Sequence, residues 1–350
     1  MALTFPDLAA ILNHGHDTLI DVRSPAEYAE DHIPGAINLP VLSNEERAIV
    51  GTIYVQDSPF RARKIGAAMI FRNAAAHIEG PLARHEGGWR PLVYCWRGGQ
   101  RSGSFAYLLQ EIGWRAEAVK GGWQAYRRLV HTALYDTPLP HRVVLLDGYT
   151  GTAKTDLLPR LAARGLQVID LEGLANHRGS LLGARAGGQP SQKGWESALA
   201  GALAAIDPAR PLVLEAESNK VGDLLIPPAL WAAMKAAPRV EIAAPLPARA
   251  AYLTAAYRDL WTDAARLTAK LNRLDRLRGR DTVERWLALL EEGRMTELAA
   301  ALMADHYDPA YTKSRQKIGA RTVATVTTGA LDEAGLDTAA DKLAEAIARL

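Results

Sequence analysis

A single cysteine, Cys95, occurs among 350 residues, at the head of the stretch CWRGGQRS (95–102). The apolar PLVY before it and SFAYLLQEIGW after it predict a strand, a loop and a helix in succession. In such a unit the loop amides and the helix N-terminus point at one place, where they stabilise an anion and favour a reactive thiolate. Gly98 and Gly99 allow the loop to curl. Arg97 and Arg101 add positive charge, and a guanidinium grips an oxyanion through two hydrogen bonds. A buried structural cysteine, the usual fate of a lone thiol, fits poorly with two glycines and two arginines so close by. Cys95, Arg97 and Arg101 are therefore candidate catalytic residues, with Gly98, Gly99 and Ser102 completing the loop.

A second chemical signature follows the apolar run VVLLD (143–147). The stretch GYTGTAKT (148–155) has the spacing of a phosphate-binding loop, with Gly148, Gly151, Lys154 and Thr155 in place and Ala153 where a further glycine is usual. Its amides would cradle a di- or triphosphate, Lys154 would reach the phosphate oxygens, and Thr155 is a candidate ligand for Mg²⁺. Alanine permits helical backbone, so a working loop with slightly altered clearance is expected. PLVLEAES places Glu215 and Glu217 at the end of another apolar strand, and VIDLEGLANHRGS places Asp170, Glu172, His177 and Arg178 after a third. Ligands gather at the carboxyl ends of parallel strands, so both sets are expected to converge near Lys154.

These loops need two scaffolds. Strands are predicted within TLIDVR (18–23), PLVYC and AEAVKGG in the first third, alternating with helices, and SNEERAIVG through AAAHIEG predicts two helices. After YDTPLPHR, a proline-bearing linker candidate, the alternation restarts with VVLLD, LQVID, PLVLEAE, VEIAAP and TVATVTT. The reading is α/β throughout: a domain at 1–135, a linker at 136–141, and a parallel-sheet domain at 142–350 carrying a helical insertion at about 248–320. The closing DEAGLDTAADKLAEAIARL predicts an amphipathic helix packed on the core.

Hydrophobic residues make up 48% and charged residues 23%, as in soluble globular proteins. No apolar window is long enough for a membrane span, the N-terminus lacks the features of a secretion signal, and one cysteine fits the cytoplasm. A net charge of +2 does not by itself mark a nucleic-acid binder. It leaves room for a basic face, and Arg266, Lys270, Arg273, Arg276, Arg278 and Arg280 crowd the insertion with only Asp275 opposing them in that span. Tyr257, Trp261 and Trp286 are candidates for stacking on an unpaired base. HYDPAYTKSR (306–315) has similar chemistry at lower charge density.

DVRSPAEYAEDHIPGAINLP (21–40), CWRGGQRS and KGGWQAYR (120–127) resemble, in order, the entry motif, active loop and closing segment of the rhodanese domain, over about residues 5–135. That resemblance implies a cysteine that carries a chalcogen. One departure stands out. Sulfurtransferase loops commonly place the arginine five positions after the cysteine, and here Arg101 lies six after Cys95. The longer spacing is shared with rhodanese-like phosphatases and suits a chalcogen attached to phosphate.

The rhodanese and phosphate-loop pairing, with NEERAIVGTIYVQ (44–56), DLEGLANHRGS (170–180) and EAESNKVG (215–222), resembles the bacterial tRNA 2-selenouridine synthase family across the whole chain. The resemblance implies a rhodanese-like domain joined to a P-loop NTPase-like domain. It implies conversion of wobble 2-thiouridine in tRNA to 2-selenouridine through S-geranyl-2-thiouridine, with geranyl diphosphate and selenophosphate as co-substrates. No tightly bound cofactor is expected, and Mg²⁺ has its candidate ligand in Thr155. The phosphate loop would hold the prenyl diphosphate, and Cys95, Arg97 and Arg101 the selenium donor. On the residues alone two alternatives remain: a phosphoryl enzyme joining a phosphatase to a kinase, and a non-catalytic ligand sensor.

Overall fold

A computed structural model describes residues 2–180, 182–261, 263–318 and 321–350. The chain divides into two units: residues 1–137 with 190–205, and residues 138–189 with 206–350.

The first unit is built on a five-stranded parallel sheet. Its order is Ala2–Leu3, Glu117–Val119, Pro91–Tyr94, Thr18–Asp21, Ile37–Asn38. Pro91–Tyr94 lies at the centre and is buried throughout, as its unbroken apolar run requires. The helix Gln100–Ile112 leaves the loop after it and stops at Gly113, whose φ of 105° only glycine adopts easily. Between the strands Ile37–Asn38 and Pro91–Tyr94 stands a helical hairpin, Asn44–Gln56 and Pro59–Glu79. Ser43 and Glu46 form a capping box at the first helix, and Ser58 with Pro59 starts the second.

Cutting the chain once at 136–141 leaves the helix Gln192–Ala204 in the second domain, but its contacts lie in the first unit. Glu196 pairs with Arg127 at 2.5 Å and accepts from the Tyr135 hydroxyl at 2.7 Å, and Lys193 pairs with Glu30 at 2.7 Å. Partners so far apart in the chain leave no trace in local patterning.

The second unit is again a five-stranded parallel sheet, in the order Thr322–Thr327, Arg239–Ala243, Val143–Asp147, Leu212–Glu215, Gln167–Ile169. All five strands fall where the apolar runs predict. The closing helix Glu333–Ala348 buries Leu336, Ala339, Ala340, Leu343 and Ile347 against the sheet, which confirms its amphipathic reading. The helical insertion has its own apolar core around Leu267, Leu271, Leu298 and Trp286. Trp286 is therefore no stacking platform: its ring is fully buried and its indole N–H donates to Asp305 at 3.1 Å. Trp261 also packs on that core and donates to the Thr254 carbonyl at 2.9 Å. Among the described residues no helix is long and apolar enough to cross a membrane.

Candidate functional site

Cys95 sits at the end of the central strand of the first sheet, 3% exposed. The Ser102 hydroxyl, one turn into the following helix, donates to its Sγ at 3.2 Å. The loop between them is fastened from behind by the KGGW segment. Trp123 N–H donates to the Cys95 carbonyl at 2.8 Å, and Gln124 N–H to the Trp96 carbonyl at 3.0 Å. The two backbones approach so closely that a Cβ on Gly98 would stand 2.5 Å from the Val119 carbonyl oxygen, and one on Gly122 2.2 Å from that of Cys95. Gly98 also has φ +65°, so it answers two constraints at once. Trp96 and Trp123 stack at 4.4 Å, and the guanidinium of the fully buried Arg23 lies 5.0 Å from the Trp123 ring while paired with Asp21 at 2.6 Å. Arg23 and Trp123 lie in two motifs a hundred residues apart, so their meeting has no signal in local sequence.

The arginines divide. Arg97 is exposed. Arg101, expected to grip an oxyanion, instead spans Glu27 with both terminal nitrogens, at 2.6 and 3.2 Å. Burial raises the Glu27 carboxyl, but the hydrogen bonds and charge of Arg101 outweigh it and hold the group below its ordinary value. An anion at the loop has to compete with that pair for Arg101.

In the second unit, GYTGTAKT leaves the central strand and leads into the helix Lys154–Ala163. Gly148 and Gly151 have φ +153° and +81°. Ala153 corrects the expectation of ordinary helical backbone: at φ 60°, ψ 30° it is left-handed, a region alanine enters at a cost of about 1–2 kcal/mol. Burial of its methyl among Leu157, Leu158 and Val144 holds it there.

Lys154 Nζ donates to the Gly148 carbonyl at 2.7 Å, and the Thr155 hydroxyl to Glu172 at 3.0 Å. Glu172 N–H in turn donates to Glu215 at 3.0 Å. The three acids are crowded together, Glu172 and Glu215 buried and Glu217 half-buried. Burial and then the Glu172 charge push Glu217 up to about 8, burial and then Asp170 push Glu215 well up, and burial raises Glu172. Gly179 lies against this group, since a Cβ there would meet Glu172 at 2.4 Å and Glu217 at 2.9 Å. Lys154, Thr155, Glu172, Glu217 and Arg178 all face one cavity of about 650 Å³. Asp170 caps the short helix Leu171–Leu174 through the Gly173 amide, and the His177 ring is buried outside the lining. Burial, its largest influence, lowers the His177 pKa.

The far wall was missed in the sequence. HYDPAYTKSR supplies Tyr307, Tyr311 and Arg315 to this same cavity, where a role beside the RNA surface had been expected. Tyr311 donates to Asp147, which Arg239 and Arg315 each approach to 3.1 Å. Burial raises Asp147, but Tyr311 and the two arginines hold it below the ordinary carboxylate value. The spacing of 307, 311 and 315, one helical face, was the available signal. Arg178 stacks over Tyr257 at 4.6 Å, so Tyr257 lines the phosphate-loop cavity.

Of the basic cluster, Arg266, Arg273 and Arg276 are exposed. Burial, then the charges of Arg266 and Arg273, depress Lys270. Arg278 is turned to His306, donating to its ring nitrogen and carbonyl at 2.9 Å, and Arg280 pairs with Glu284 at 2.7 Å. These last two are engaged within the fold.

Comparison with known proteins agrees with both units. Residues 4–129 match the rhodanese-like domain, and residues 141–335 match the family described as the tRNA 2-selenouridine synthase AAA domain. The tRNA 2-selenouridine synthase of Chromohalobacter salexigens is 32% identical over 88% of this chain and 91% of its own length. That of Bordetella bronchiseptica is 33% identical over 89% and 92%, and that of Hahella chejuensis 39% identical over 64% and 59%. A solved rhodanese-related protein from Thermoplasma volcanium is 19% identical over 36% of this chain and 90% of its own, at TM-score 0.23. With two domain matches in order and relatives aligned over nearly its whole length, the chain belongs to the tRNA 2-selenouridine synthase family.

Proposed function

We propose that this protein converts wobble 2-thiouridine in tRNA to 2-selenouridine in the cytoplasm, in two transfers served by its two units. Full-length similarity to proteins named for that product supports the overall reaction, and the coexistence of the Cys95 loop with the Lys154 cavity supports the division.

In the first transfer, the 2-thiouridine sulfur attacks the allylic carbon of geranyl diphosphate. A C–S bond forms, the C–O bond breaks, and diphosphate leaves with the electron pair. Lys154 and the loop amides stabilise the charge that grows on it. Arg178 and Arg315, on the walls of the same cavity, add to that field. No general base is needed at sulfur, and the N3 proton is lost afterwards. Thr155 and Glu172 offer the hard oxygen donors that suit Mg²⁺, which when bound would neutralise part of the diphosphate charge.

In the second transfer, selenophosphate brings selenium to C2. The C2–Se bond forms, and the C2–S bond breaks with its electrons leaving on geranyl thiolate. The P–Se bond breaks with its electrons staying on selenium as water takes the phosphorus as phosphate, the two hydrogens of water ending on N3 and on the thiol. Cys95 positions the selenium end of the intact donor, with Arg97 and, once freed from Glu27, Arg101 on the phosphate oxygens. Gly98, Gly99 and Ser102 shape that loop. The exposed Arg266, Arg273 and Arg276 receive the tRNA backbone.

The test supplies purified protein with 2-thiouridine tRNA and geranyl diphosphate without ATP, then adds selenophosphate, with nucleoside mass spectrometry after each stage. Geranylated and then selenated uridine is expected. Cys95→Ala should stop at the geranyl stage, and Lys154→Ala should fail before it. Unchanged tRNA with folded protein, together with phosphatase or ATP turnover, would instead favour a phosphoryl enzyme.

A further inference from the structure

We propose that a second cavity, beside the Cys95 loop, holds the geranyl chain of S-geranyl-2-thiouridine while its sulfur is exchanged for selenium. The identity of the chain rests on the function proposed above; the cavity and its position do not.

The cavity measures about 410 Å³, within the range that takes small ligands. It opens between the helices Asn44–Gln56 and Pro59–Glu79 and the first turn of Gln100–Ile112. Its walls are apolar: Leu42, Val50, Ala62, Gly66 and Ile70. Tyr54 and Val55 line it at 54% and 82% exposure, an apolar rim of the kind that marks a binding surface. Small residues make the space. A Cβ on Gly66 would already stand 3.3 Å from Val50 Cγ1, so a larger side chain there would fill the gap between the two helices.

Position gives the cavity its meaning. Gln100, Arg101 and Ser104 line it, and Ser102, between them in the chain, donates to the Cys95 Sγ. Leu42 and Ile70 belong to the same apolar cluster as Cys95. A chain lodged here has its head within a helical turn of the loop. Charge then selects the kind of occupant. Arg47, Arg63 and Arg101, with Gln100 and Ser104, border a space whose remaining lining is largely apolar. Arg101 and Arg47 share Glu27, at 2.6 and 3.9 Å, and Arg63 is exposed. Apolar walls with a cationic border suit an apolar tail on a polyanionic carrier, which is the character of a prenylated nucleotide within RNA.

The arrangement also accounts for a distinction between intermediate and product. The C2–S bond breaks and the sulfur departs as geranyl thiolate with the tail, so the selenated uridine keeps no handle in the cavity and is released. The tail would thus hold the intermediate at the loop until exchange is complete.

The experiment supplies selenophosphate and two tRNAs, one bearing S-geranyl- and one S-methyl-2-thiouridine, to the full-length protein, Gly66→Leu and Ala67→Leu. The unaltered protein should selenate the geranyl tRNA with a KM at least about tenfold below that of the methyl tRNA. Both variants should lose that preference, with the methyl substrate unaffected. Ala67 lines the cavity from its exposed side, so Ala67→Leu decides the matter if Gly66→Leu fails to fold. Full chain-length preference retained in a folded Ala67→Leu variant would overturn the cavity assignment and leave the proposed function standing. No selenation of geranyl tRNA by the unaltered protein would overturn both.

Discussion

Arg101 and Glu27 form a two-pronged ion pair, with Arg101 Nη1 at 2.6 Å and Nη2 at 3.2 Å from the two carboxylate oxygens. The same carboxylate accepts from the Ser24 amide at 3.0 Å, closing the capping box of the helix Pro25–Glu30. One residue thus restrains the loop arginine and starts a helix. Glu27→Gln retains the cap acceptor while removing the charge, so binding of phosphate or thiophosphate to the loop should tighten several-fold. The pair also has a pH signature. The folded-state pKa of Glu27 lies below its ordinary 4.5, so its stabilisation is present above that pH and is lost as pH falls through the depressed value. Thermal unfolding followed below pH 5 should show this loss in the unaltered protein and not in Glu27→Gln.

Ala153 stands at positive φ with its methyl buried. Ala153→Gly relieves backbone strain but gives up the methyl contact and adds unfolded-state entropy, so it should be neutral within about 1 kcal/mol. Ala153→Val places a β-branched side chain where the backbone forbids it and should cost about 2 kcal/mol or more. Denaturant unfolding of both variants checks the asymmetry.

Glu217 has the opposite sign from Glu27. Burial and the neighbouring Glu172 raise its folded pKa to about 8 from an ordinary 4.5. The folded protein holds the proton longer, so this contribution to stability is full below pH 4.5 and disappears as pH rises through 8. Between pH 5 and 9 the urea midpoint of Glu217→Gln should fall less steeply than that of the unaltered protein. Equal slopes would mean that burial and the Glu172 charge do not hold the Glu217 proton as described.

Arg266, Arg273 and Arg276 are exposed, and Arg280 is tied to Glu284. Alanine at each of the first three should lower the salt dependence of tRNA binding by about one unit of slope, whereas Arg280→Ala should change it less. Filter binding across a salt series separates the two groups.

Residues adjacent in sequence carried most of what could be read without a structure. The strand VVLLD and its loop, the strand PLVY with CWRGGQRS and the helix after it, and the closing amphipathic helix are local patterns, and the described structure reproduces each. Convergence at the ends of parallel strands also followed from topology, and it brought Glu172, Glu217 and Arg178 to Lys154. What depended on distant partners was not legible. The meeting of Tyr311 with Asp147, the helix Gln192–Ala204 joining the first unit, and Arg101 turning to Glu27 all link residues more than fifty positions apart. Trp286 shows the same limit: an aromatic beside arginines reads equally as stacking platform or core until the helices around it are packed. Local chemistry is written in short spacing, while the partner that engages or buries a side chain is chosen only when the chain closes on itself.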